Sequence, residues 1–246
     1  MKSLVVIVLL GTSAAVQIAI PAGTILPVRL ETSINSERSK AGDKIEARIM
    51  QDVPLPGRGK IRRGSLVVGQ VKEAAPASSG QGGRFTIVFD SIKSGRETIP
   101  VRTNLRVIAS LLEVDEAQIQ EYGGDRGTPT SAFTTTQIGG EMVYRGGGHV
   151  MNGRDVVGEP VPYGVLARVR EVEDSKCRGA VAGNDSPQAL WIFSTDACGV
   201  FGYPGMRIVH AGRTEPVGEI VLAEENGNVH LRAGSAMLLR VVGSGR

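Results

Sequence analysis

The residues able to do chemistry are few: three histidines, two cysteines, and serines and acids scattered along 246 residues. A serine nucleophile needs a sharp elbow, a histidine base and an acid to orient it. The nearest stretches, Gly234-Ser235-Ala236 and Gly243-Ser244-Gly245, lack the Gly-x-Ser-x-Gly elbow. Asp196, Cys198 and His210 would suit a thiol nucleophile. Cys177 and Cys198, however, lie 21 positions apart among Gly, Asn and Pro residues, and a disulfide explains them more simply. Closing that loop contributes about 3 kcal/mol in an oxidising compartment; two unpaired thiols are the alternative. His149, His210 and His230 show no zinc-like spacing to the cysteines or to one another. Gly146-Gly147-Gly148-His149 lacks the Lys-Ser/Thr ending of a phosphate loop. No metal, cofactor or catalytic set emerges, and the chain reads as a non-enzyme, with a hydrolase of unfamiliar type as the outside alternative. Trp191, Phe193 and Tyr203 are the candidates for a small-ligand or glycan surface.

The elements that would carry these residues are strands. Gly is about twice its usual share at 33 residues, and 29 Val and 17 Ile stand against 16 Leu. A short repeat marks where strands begin. Residues 20–30 (IPAGTILPVRL) and 231–241 (LRAGSAMLLRV) share Ala, Gly and Arg at matching positions, with looser copies at 61–71 and 161–171. Each reads as a turn closed by a glycine (Gly23, Gly64, Gly164, Gly234), with proline favouring type I geometry in two of them, followed by a period-two strand. Pro27 places the first of these strands at a sheet edge. Ser94-Gly95 and Asn226-Gly227 predict hairpins, the second between residues 219–222 and 229–231. Apolar residues from Val107 to Ile119 at helical spacing predict one short helix near 105–121. Residues 74–83 and 123–129 read as loops. The expectation is a mainly β protein, an antiparallel barrel or sandwich, built as one unit or as two β lobes.

The first 15 residues have the layout of a signal peptide: Lys2, an unbroken apolar run over 4–10, and small residues at Ser13 and Ala15. A retained anchor and a buried first strand are the alternatives. Export would put residues 16–246 in the periplasm or outside the cell, with no transmembrane helix after cleavage. The expected divisions are an N-terminal β domain at 16–103, a helix-and-loop connector at 104–145 and a C-terminal β domain at 146–246. A net charge of +3 argues against nucleic acid as the partner.

Residues 20–24 (IPAGT), then 26–36 (LPVRLETSINS), then 61–70 (IRRGSLVVGQ), and a strand over 85–92 occur in that order. Over residues 20–103 this resembles the β-domain of the conjugation and type IV secretion channel-core subunit family, with Arg62 standing where the family has proline. The resemblance implies a barrel or sandwich and an envelope assembly component without catalytic residues. The expected partners are therefore other envelope proteins or further copies of the chain, met through edge strands.

Overall fold

A computed structural model describes residues 19–122, 133–174, 177 and 179–243. The signal peptide expected at 1–15 and the loop expected at 123–129 lie outside those residues. The protein is mainly β, as its valine and isoleucine content leads one to expect.

Four turns of one kind organise the larger sheet. Thr24 N–H donates to Pro21 O (3.2 Å), Asp43 to Lys40 O (3.0 Å), Ser65 to Arg62 O (3.1 Å) and Ser235 to Arg232 O (3.1 Å). The third residue of each is Gly23, Gly42, Gly64 or Gly234, at φ between 90° and 97°. A glycine at positive φ in third place, after a residue at negative φ, is type II geometry, which corrects the type I expectation. Each turn opens a strand: Ile25–Leu30, Lys44–Ile49, Leu66–Ala75 and Ala236–Gly243. These four are neighbours in the sheet, all antiparallel. The turn glycines bind them in reciprocal pairs. Gly23 N–H reaches Val241 O (2.7 Å) while Gly234 N–H reaches Leu30 O (2.8 Å). Likewise Gly64 N–H reaches Ile49 O (2.8 Å) and Gly42 N–H reaches Val71 O (2.9 Å).

The strands after Gly23 and Gly234 thus lie side by side, and the two ends of the chain share one sheet. That sheet has ten strands. Beyond the four it continues through Arg84–Ser94, Ile220–Glu224 and Met206–His210 on one side, and through Arg102–Ala109 and Gly199–Phe201 on the other. Its hydrogen-bonded path is open, so it is not a closed barrel. A second sheet of seven strands runs as an antiparallel meander from Glu121–Tyr122 to Gln188–Ala189. Sheet membership therefore does not follow the 16–103 and 146–246 division: the strands of 199–243 pair with N-terminal ones, and the meander is an insertion.

Three local expectations are overturned. The strand carrying Pro27 is interior, between 44–49 and 236–243. Pro27 O accepts Met50 N–H (3.0 Å) just past the end of the 44–49 strand, so the proline sits where that pairing ends and costs it one terminal hydrogen bond. Residues 104–109 are strand, and the helix is only Leu111–Glu116, capped by Ser110 Oγ, which accepts Glu113 N–H. An apolar run fits a fully buried strand as well as a helix; Leu112 and Ile119, expected on the helix's inner face, are exposed. The strand His230–Leu231 pairs with Ile34–Asn35 and not back onto 219–222. Asn228 decides this, its Oδ1 accepting Ala77 N–H (2.7 Å), with Ser36 N–H on Val229 O (3.0 Å).

The Ser94-Gly95 hairpin forms as expected, with Ser94 opposite Glu97. Two cores result. One is enclosed by the larger sheet around Leu26, Phe85, Phe89 and Leu239. The other lies between the sheets, where Ile25, Val107 and Leu238 meet Val143, Val165, Trp191 and Phe193.

Candidate functional site

The copy of the turn at residues 161–164 is the irregular one. Its sequence, Val161-Pro162-Tyr163-Gly164, aligns with Ile20-Pro21-Ala22-Gly23, yet the turn sits one residue earlier. It joins the strands Asp155–Val161 and Gly164–Ala167, with Val161 opposite Gly164. The left-handed third position, glycine in the other four turns, is therefore Tyr163 at φ 67°. A non-glycine residue there costs about 1–2 kcal/mol. Among the described residues Trp191, at φ 54°, is the one other case.

Gln51 links these two positions. Its side chain is buried just past the 44–49 strand. Its Oε1 accepts N–H groups from Trp191 (2.8 Å) and Val165 (3.2 Å), and its Nε2 donates to Val165 O (2.7 Å). The carboxamide thus acts as a strand neighbour for two segments far apart in sequence. Gly164 makes room for it, since a Cβ there would stand 1.9 Å from Gln51 Oε1. That contact, and not a left-handed φ, is why residue 164 is glycine.

The Tyr163 ring projects into solvent, 64% exposed, and carries the Arg63 guanidinium over its face at 3.9 Å. Arg63 belongs to the type II turn of residues 62–65, so two turns of the same lineage meet at this stack. Asp52 fixes the base of that turn, accepting Arg63 N–H (2.8 Å) and pairing with Lys60 Nζ (2.6 Å). The Lys60 hydrogen bond, then the Arg63 N–H, hold the Asp52 carboxyl below the usual range. Arg145 braces the other side, its Nη1 donating to Gly164 O (3.1 Å), and burial lowers its pKa.

Around this stack lies a cleft of about 560 Å³, lined by Gln51, Pro54, Leu55, Lys60, Arg63, Val161, Pro162, Tyr163 and Leu166. A smaller cavity of about 280 Å³ opens on the far side of Arg63 and Tyr163, towards Trp191 and Arg145. Few polar groups in the main cleft are unengaged: Gln51 and Asp52 are both occupied within the protein.

Cys177 and Cys198 are bonded, with Cα atoms 5.4 Å apart, within the range a disulfide spans. Both described cysteines are thereby taken out of thiol chemistry. Beside the bridge, Arg106 is 98% buried by its 2% exposure. Its Nε donates to Ala197 O (2.9 Å) and its Nη2 to Arg170 O (2.9 Å) and Thr195 O (3.2 Å). Desolvation, then the nearby Arg240 charge, pushes its pKa down to about 10. Glu141, equally buried, holds the opposite side of the same segment, accepting Thr195 N–H (2.9 Å) and Thr195 Oγ1. The two charges clasp one peptide from the two sheets.

The sequence candidates for a ligand surface are not brought together. Trp191 and Phe193 are buried in the core between the sheets, and the small cavity touches Trp191. Tyr203 packs half-buried against the other core, its hydroxyl hydrogen-bonded to Ser235 Oγ. His210 is tied to backbone: Gly212 N–H donates to its Nδ1 (2.9 Å). His149 lines a separate cavity with Gly146, Gly147 and Gly148. Tyr163 and Arg63 were not singled out from the sequence. The signal that would have found them is a tyrosine after proline in a repeat whose other copies are glycine-turned.

No protein-family model and no curated protein matches this chain.

Proposed function

We propose that this chain is a non-catalytic binding module of the cell envelope, acting outside the cytoplasm, and that it meets its partner at the cleft beside Tyr163 and Arg63. One observation carries the reading. Tyr163 occupies a backbone position that four sister turns give to glycine, and it returns little of that cost to the core, because its ring is 64% exposed. Strain whose one packing return is an exposed stack on Arg63 supports contact with something else. A disulfide and the N-terminal signal layout support a location beyond the cytoplasm. The ordered motifs of residues 20–103 support an envelope role. The cleft serves better than the sheet edges: the end strands of the larger sheet, Gly199–Phe201 and Met206–His210, are three and five residues long.

A photo-crosslinking residue at position 163 of the full chain, expressed in its own cells, tests this. A discrete adduct at 163 that is absent when the probe sits at exposed Glu97 is the expected result. No adduct at 163, or the same adducts at both positions, overturns it.

A further inference from the structure

We infer that the cleft binds an extended peptide segment in which a carboxylate side chain lies next to an apolar one. This deepens the binding-module reading and rests on it.

The charge of the cleft is lopsided. Lys60 and Asp52 neutralise each other in an ion pair of 2.6 Å. Among the described residues the Arg63 guanidinium forms no ion pair and no hydrogen bond; its contact is the Tyr163 ring. Arg145 spends donors on carbonyl oxygens of the turn and brings no carboxylate with it. An exposed guanidinium held over an aromatic ring keeps its N–H donors for a further partner, and their fork suits a carboxylate in bidentate fashion. Holding the guanidinium over the ring in advance lowers the ordering cost of binding.

The walls are apolar. Pro54, Leu55, Val161, Pro162 and Leu166 face the volume beside the stack, which at about 560 Å³ lies in the range of built ligand sites. An acidic sugar would bring many hydroxyls, each needing a partner. The nearest polar side chains, Gln51 and Asp52, already have theirs. An extended peptide can leave its backbone groups to solvent at the open face while one aliphatic or aromatic side chain lies against such walls and its acidic neighbour meets Arg63. Peptide is therefore favoured over acidic glycan.

Fluorescence anisotropy on the full disulfide-bonded chain tests the inference. The probes are a fluorescein-labelled peptide of alternating Glu and Leu, its Gln-for-Glu counterpart, and a labelled oligogalacturonate. The Glu peptide is expected to bind about tenfold or more tightly than the Gln peptide, and to weaken with added salt. Arg63→Gln and Tyr163→Gly are expected to lose about tenfold each, and Arg63→Lys, which keeps the charge without the flat fork, less. Thermal melts identify any variant whose loss reflects unfolding, and Arg63→Lys then carries the comparison. Equal binding of the two peptides, undiminished binding by Arg63→Gln, tighter binding of the oligogalacturonate, or no binding at all would overturn the inference. If the position-163 adduct persists through any of these outcomes, the binding-module reading stands without it; if the adduct is also absent, both fall.

Discussion

Gln51 and Trp191, 140 residues apart, are joined by a hydrogen bond of 2.8 Å from the Trp191 backbone to the Gln51 side chain. The same carboxamide carries both backbone groups of Val165, so one side chain ties the insertion to the larger sheet. Gln51→Ala would orphan two buried backbone N–H groups, those of Val165 and Trp191, while Val165 O keeps Leu190 N–H (3.2 Å), and is expected to cost about 3 kcal/mol. Urea denaturation measures it. Trp191 is the chain's single tryptophan, so its emission should also shift to the red in the folded variant.

Tyr163→Gly should leave the fold intact. Relief of the left-handed backbone, about 1–2 kcal/mol, is offset by the lost stack on Arg63 and by the greater freedom of glycine in the unfolded chain. The net change is expected to fall within about 1 kcal/mol by chemical denaturation. A loss of several kcal/mol would mean that the ring is structural.

Arg106 fills a buried volume and caps three carbonyl oxygens. Arg106→Ala removes both services and is expected to cost at least about 3 kcal/mol. Arg106→Met restores much of the volume and removes a buried cation whose Nη1 has no hydrogen-bond partner. It should cost less than half as much, because an apolar replacement of a poorly compensated buried charge is often tolerated. Parallel denaturation curves for the two variants decide.

Reducing the Cys177–Cys198 bridge should add two hydrogen atoms to the mass and lower stability by about 3 kcal/mol. The double Cys→Ser variant should melt like the reduced protein.

Asp52 sets a small acid dependence. Its folded pKa is depressed, so its contribution is present above the ordinary carboxylate pKa and is lost as pH falls through the lowered value. The group is partly exposed, which holds the contribution to about 1 kcal/mol or less. A carboxyl NMR titration should place Asp52 below the ordinary aspartate value, and Lys60→Met should move it back up.

The strand class was legible because β-branched content and period-two patterning are local properties, and Phe85, Ile87 and Phe89 are buried as their spacing implies. The glycine turns were legible for the same reason, since a left-handed third residue limits the choice of side chain at Gly23, Gly64 and Gly234. Asn226-Gly227 was misleading: the dipeptide lies in a bend, but the partner of the strand that follows was chosen by the bonds of Asn228 to Ser36 and Ala77 elsewhere in the chain. Val107 and Ile108 were misread as helix because burial on both faces erases periodicity. The candidate site was nearly invisible, for Tyr163 and Gly164 look like another copy of the turn, and only the pairing of Val161 with Gly164 moves the tyrosine into the left-handed slot.

The sequence by itself determined that this chain folds as sheet punctuated by glycine and where several of its strands begin, because those choices depend on steric limits within three or four residues. Only the tertiary structure decided that both ends of the chain share one sheet, that a meander is inserted between them, and that Arg63 meets Tyr163 beside a cleft. Those outcomes depend on register and on contacts between residues 100 or more apart, such as Gln51 with Val165 at a separation of 114, which no local pattern encodes.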